Sequence, residues 1–228
     1  MMRRKLRGRR PKPRWLGLTG GMASGKSLTA KLLRRLGMRV HDSDAAARRL
    51  SATIALPAIA QLCPEAVLPN PVNPTNLANP EAPPEATLTQ ARLDRGRLAA
   101  AVVRDPTLLP ALERLLHPLI AVDRAAWARC WPQHRQRWLV MEVPLLLETG
   151  LDRQCQRVMT MVASPKLRQR RAGRRGGMDA ARWQRLVSRQ ASDGQRQRGS
   201  DFLLPSGLGK AVTFRQLRRA LIQLNRKK

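Results

Sequence analysis

Eight consecutive residues constrain this chain more than any others. Gly20-Gly21-Met22-Ala23-Ser24-Gly25-Lys26-Ser27 matches G-x-x-x-x-G-K-[ST]. Each fixed position has a chemical reason. Gly20 and Gly25 let the backbone curl so that successive N–H groups point inward at phosphate oxygens. A helix starting near Lys26 adds its positive N-terminal end. Lys26 brings a point charge to the outer phosphates, and the Ser27 hydroxyl is a hard ligand suited to Mg²⁺. With the Gly, Lys and Ser/Thr content of this chain, a chance match has odds of roughly a few in a thousand. The flanks fit as well. Leu16–Thr19 reads as a short apolar strand, and Lys26–Leu36 as a helix with Leu28, Leu32, Leu33 and Leu36 on one face, stopped by Gly37. With a second strand at Met38–His41, the unit is strand, Gly-loop, helix, strand: the opening of a parallel α/β sheet.

The remaining elements extend that pattern. Asp42-Ser43-Asp44 is positioned to cap a helix at about 45–50. Cys63–Thr89 is rich in Pro and Asn and lacks Lys and Arg, so a long inserted surface loop is expected. Helices follow at Arg95–Val103, Thr107–His117 and about 119–130, with Pro118 expected to interrupt the last two. Trp138–Val143 is a near-continuous apolar run, as in a central parallel strand covered on both faces. Arg157–Ala163 is another strand, and Ser164-Pro165 starts a helix. Asp179 caps a further helix whose Trp183, Leu186, Val187 and Gln190 share a face. Phe202–Leu204 is a last strand and Thr213–Leu224 a closing helix.

Composition removes several classes of protein. Of 228 residues, 43% are hydrophobic, enough for a sizeable core. No stretch approaches the ~20 apolar residues of a membrane span. Cys63, Cys130 and Cys155 lack metal-ligand spacing and read as reduced thiols of a soluble cytoplasmic protein. The net charge of +29 admits nucleic acid, an anionic membrane surface or polyanionic small molecules as partners, but 36 of the 44 basic residues are Arg, which points first to a general Arg bias. Aromatic residues are 3% and Tyr is absent, leaving few platforms on which single-stranded bases stack.

A P-loop by itself does not separate kinases from GTPases, helicases or other ATPases. Asp42 and Asp44 narrow the choice, because they follow the second strand at its carboxyl end, where ligands of open parallel sheets sit. A carboxylate there can take the proton of an attacking hydroxyl or orient Mg²⁺, and helix capping is the competing role. Arg168, Arg171 and Arg175 recur at helical spacing, followed by Gly176-Gly177 as a hinge. Such a segment can bring cations to a migrating phosphoryl group and exclude water. A solvated basic face is the alternative for any one of these arginines.

These residues, taken in order, resemble the dephospho-coenzyme A kinase family. The likeness rests on Leu18–Ser27, on Asp42-Ser43-Asp44-Ala45-Ala46-Ala47-Arg48, and on Leu93-Asp94-Arg95-Gly96-Arg97-Leu98. It continues through His117-Pro118-Leu119-Ile120, Val143-Pro144-Leu145-Leu146-Leu147-Glu148-Thr149-Gly150-Leu151, Ser164-Pro165, Arg171, Arg175-Gly176-Gly177-Met178 and Gln190. Two departures stand out: Glu142 where many members have Asp, and Leu204-Pro205-Ser206-Gly207 in place of an Asp-Asn-x-Gly pattern. The resemblance implies a three-layer P-loop kinase fold with a five-stranded parallel sheet, a helical acceptor-binding region and an Arg-rich lid. It implies transfer of the ATP γ-phosphate to the ribose 3′-hydroxyl of dephospho-CoA. Asp44 would be the base, with Lys26, Arg171 and Arg175 catalytic; Gly20 to Leu28 would bind nucleotide, Ser27 Mg²⁺, and Asp42, Arg48 and His117 the acceptor. The expected organisation is a basic tail at 1–14, a kinase domain at 15–226, an insertion at 63–89, the acceptor region at 91–135 and the lid at 166–190. A monomer acting on small molecules, without membrane or specific nucleic-acid partners, completes that expectation. Two other readings stay open on the residues alone: another small-molecule or nucleotide kinase, and a basic nucleic-acid-binding ATPase.

Overall fold

The computed structural model describes residues 13–69, 91–131, 138–174 and 178–226. Most of the basic tail, most of the Pro/Asn-rich stretch and Arg175-Gly176-Gly177 lie outside the described residues. The chain divides into two compact units, one running up to Asp42 and resuming at Trp127, the other Ser43–Ala126.

The first unit is built on a five-stranded sheet of β1 (Arg14–Gly20), β2 (Arg39–Asp42), β5 (Trp138–Glu142), β6 (Arg157–Val162) and β7 (Phe202–Pro205). The strand order is β2-β5-β1-β6-β7 and each pairing is parallel. All five residues of β5 are buried, which is why its sequence is an unbroken apolar run ending in one acid. Strand β1 is central; the chain runs from it to β2 at one edge, and later crosses from β5 on that side to β6 on the other. That reversal marks the carboxyl edge beside β1 as the place where a ligand is expected.

Helix α1 (Lys26–Arg35) covers one face through Thr29, Ala30 and Leu33. Leu28 and Leu32 are half-buried, so the buried face is narrower than the leucine spacing implies. Leu16, Leu18, Leu33, Val140, Met159 and Met161 form the centre of the core with Leu217, each at most 1% exposed. Full burial of side chains this size contributes about 1.5–3 kcal/mol apiece. The last of these comes from the closing helix α9 (Lys210–Arg226). Arg14, expected at the end of the tail, belongs instead to β1, where its guanidinium lies 4.5 Å from the Trp138 ring.

The second unit is mainly helical: α2 (Ser43–Ser51), α3 (Leu56–Leu62), α4 (Arg95–Arg104) and most of α5 (Leu108–Arg129). Two short strands, β3 (Val67–Pro69) and β4 (Ala91–Leu93), pair antiparallel. The expected loop therefore starts later than Cys63, because Pro64–Ala66 forms a 3₁₀ turn and Val67–Pro69 finds a partner strand. Asp94 caps α4, its carboxylate accepting from the amides of Gly96 and Arg97 at 2.8 and 3.0 Å. Pro118 does not end the helix it was expected to interrupt; α5 runs through it for 22 residues. The proline forfeits one backbone bond, while Leu112, Leu115, Leu116 and Leu119 pack on both sides of it with Ile59 and Leu98. Continuous burial outweighs one missing donor.

Candidate active site

The Gly-rich loop follows the central strand, and its backbone is wound in a way that few side chains tolerate. Gly20 has φ 155° and Gly25 φ 99°, and Ala23 is left-handed at φ 59°. A non-glycine residue in that region costs roughly 1–2 kcal/mol, and such strain is characteristically held at functional sites. Gly25 is the N-cap of α1 and offers no side-chain cap, so the first amides of the helix are left for an external anion. The Ser24 hydroxyl is buried without a hydrogen-bond partner among the described residues. Both features suit a phosphate.

The charges around the loop begin with Glu142. The β5 strand ends there, in register with Leu18 of β1 and Asp42 of β2. Lys26 Nζ lies 3.1 Å from Glu142 Oε1, and Arg34 lies 3.8 Å from Oε2. Burial pushes the Glu142 carboxyl above the usual glutamate range; Lys26 opposes that rise, Asp42 adds to it and Arg34 lowers it. The lysine of the phosphate motif is thus held at the carboxyl edge of the sheet by a buried acid that sequence reading assigned no firm role. Ser27, next to Lys26, is exposed. No cluster of three His, Cys, Asp or Glu ligands exists among the described residues.

Arginines approach the loop from α6 (Pro165–Gly173), a helix begun by Ser164 and Pro165 as expected. Arg171 Nη2 donates to the Ser206 carbonyl at 2.8 Å, and Nη1 donates to the Ser206 hydroxyl at 2.9 Å and to Ala23 O at 3.4 Å. Arg168 is buried and ion-pairs with Asp193 at 2.9 Å. Helix α6 ends at Gly173, and Arg175, expected on the same face, lies outside the described residues. Gln190 is displaced from expectation. Helix α7 (Ala180–Ser188), capped by Asp179, stops before it, and its amide oxygen accepts instead from Met22 N at 2.9 Å. Sequence placed Gln190 on that helix face and in the family pattern, and neither foretold its contact with the loop.

Arg196 was not foreseen. It lies on α8 (Asp193–Arg198), is 3% exposed, and pairs with Asp193 at 3.1 Å and Glu148 at 3.6 Å. The available signal was the capping box of Ser192 and Gln195, which fixes where the short helix starts. That signal locates a helix and says nothing of a loop far away in sequence.

Asp42 is half-buried at the end of β2 in the first unit. Asp44, Arg48 and His117 belong to the second unit, and all three are exposed. Asp44 lies in the first turn of α2, not at its cap, because the helix begins one residue earlier, at Ser43. The Arg48 carbonyl accepts from Arg95 at 3.2 Å. Leu28 lines a groove with Leu32, Leu36, Ala211 and Phe214.

A model of the dephospho-CoA kinase family matches residues 14–71 and 79–208. The chain is similar to the dephospho-CoA kinase of Gluconobacter oxydans, at 36% identity over 92% of this chain and 96% of that protein. It is similar to that of Rhodospirillum rubrum at 35% identity over 89% and 88%. Among solved structures, TT1252 from Thermus thermophilus superposes with a TM-score of 0.76 at 26% identity, covering 94% of this chain and 98% of that one. The Campylobacter jejuni dephospho-CoA kinase shares the fold, with a TM-score of 0.63 at 17% identity over 93% and 98%.

Proposed function

Because the chain belongs to the dephospho-CoA kinase family of ATP-dependent kinases, we propose that it phosphorylates the ribose 3′-hydroxyl of dephospho-CoA, giving coenzyme A and ADP. The observation that carries the reading is the strained, uncapped P-loop with Lys26 held beside it by Glu142. In this reading the acceptor oxygen forms a bond to the γ-phosphorus, the bond from that phosphorus to the bridging oxygen breaks, and ADP leaves. Asp44 takes the acceptor proton. Lys26 moves from Glu142 onto the β- and γ-phosphates as they arrive, trading one anion for another. Arg171 and Arg175 bring further charge to the migrating group, and Asp42, Arg48 and His117 orient the acceptor.

Mg²⁺ fits the donors present: the Ser27 hydroxyl, with the Glu142 and Asp42 carboxylates at the neighbouring strand ends, are all hard oxygens. Such an ion keeps much of its coordination for phosphate and water, so it needs no protein cage. When bound, it neutralises charge on the phosphate chain.

The test is turnover of purified protein with Mg-ATP against a panel of alcohols that includes dephospho-CoA. Mass and phosphate position identify the product. ADP release that requires dephospho-CoA, with phosphate at the 3′ position, is the expected result. A preference for another acceptor, or DNA-stimulated hydrolysis instead, would overturn the proposal.

A further inference from the structure

Beside the P-loop lies a set of buried charges that the transfer chemistry above leaves without a task. Arg168 has an 8% exposed side chain, and its Nη2 is bonded to Asp193 Oδ2 at 2.9 Å. Its Nε is buried with no hydrogen-bond partner among the described residues. Its Nη1 lies against Gly21, where a Cβ would collide with it; Arg196 Nη1 stands 3.1 Å from the same point. The loop residue that meets the guanidinium is one with no side chain in the way. The other oxygen of Asp193 binds Arg196 Nη1 at 3.1 Å. Arg196 Nη2 reaches Gln190 Oε1 at 3.4 Å, the same oxygen that accepts from Met22 N. One carboxylate thus fixes two arginines, and both stand over the first residue of the loop that is free of the strand.

A buried guanidinium with an unused donor is costly unless an anion completes its shell. The neighbouring loop is built to hold anions. We infer that Arg168 is a direct contact to the phosphate chain of the nucleotide, and that Asp193 and Arg196 are positioning residues that hold it against Gly21. Asp193 partly neutralises Arg168 in the absence of nucleotide and fixes its plane; phosphate oxygens then satisfy the remaining donors. This inference rests on the reading that the P-loop binds ATP.

The test is direct titration of AMP, ADP and ATP, without acceptor, so it stands whether or not dephospho-CoA is the substrate. Arg168→Gln removes the charge but keeps an amide that can still bond Asp193. The expected loss grows with phosphate number and reaches about tenfold or more for ATP, the range of a charge-assisted hydrogen bond. Asp193→Asn, which keeps a side-chain oxygen able to accept from one guanidinium, should show the same graded loss at smaller size. The double variant should be no worse than Arg168→Gln alone, because both act on one contact. A purely structural role predicts an equal factor for all three nucleotides. An equal factor, or no loss, overturns the inference. If Arg168→Gln does not fold, Asp193→Asn decides on the same criterion.

Discussion

At the scale of single residues, position in the chain and electrostatic environment say different things about Lys26. As a motif residue it is expected to bind phosphate, but it is also the partner of a 3% exposed carboxylate. A glutamate whose carboxyl is raised in the folded state binds its proton more tightly there than in the unfolded chain. Stability therefore falls as pH rises from the ordinary glutamate value toward the elevated one. Lys26 opposes that elevation, so Lys26→Met should abolish transfer and also raise Glu142 further. Its melting temperature should then drop more steeply than the parent's across that pH range; parallel profiles would show that the ion pair is not made in solution. Asp44 separates chemistry from structure in another way. It is exposed in the first turn of α2 and is not the cap. Asp44→Asn loses about 0.3–1 kcal/mol of favourable interaction with the helix dipole at most. Loss of a general base costs ~10²–10⁴-fold. We expect turnover to collapse in a variant that melts close to the parent, and parental turnover would remove Asp44 from the reaction.

Elements show where local rules yield to packing. Pro118 is exposed on α5, and the helix survives it because leucines on either side, Leu112 buried and Leu115, Leu116 and Leu119 partly so, pack in one cluster. Pro118→Ala restores a donor without touching the core, so it should raise stability by about 1–3 kcal/mol, measured by denaturant unfolding. No gain would mean that the α5 backbone had already relaxed around the ring. The segment expected to act as a lid, 166–190, has mixed anchoring. Arg168 and Arg171 on α6 are tied to Asp193, Ser206 and Ala23, whereas α7 has no buried residue. Amide exchange should therefore be fast in α7 of the free protein and slow several-fold when ATP and acceptor bind together. Unchanged exchange would return α7 to a solvated basic helix.

For the whole molecule, a net charge of +29 sets non-specific behaviour more than fold. Removing residues 1–12 should weaken retention on an immobilised polyanion and leave kcat/KM for ATP unchanged. A fall in kcat/KM would give the tail a working role. Extending the cut through Arg14 removes a β1 residue that packs on Trp138 and should lower the melting temperature. Much of the architecture was readable without coordinates. The P-loop, its flanking strand and helix, the buried strand β5 and the Ser164 and Asp179 caps are local signals, spread over a few residues whose chemistry or spacing admits one use. What needed the tertiary structure was long-range. The pairing of Glu142 with Lys26 spans 116 residues, and the approach of Gln190 to Met22 spans 168. Arg196 looked like one more arginine in an Arg-rich chain until folding set it between Asp193 and Glu148. Pro118 looked like a helix stop until burial of its neighbours overrode it. A motif of this kind acts through its own backbone, so sequence alone determined the wound Gly-rich loop and the helix it starts. Charges buried around that cradle are stabilised only by partners brought from other strands and helices, and only the tertiary structure decided which of them those were.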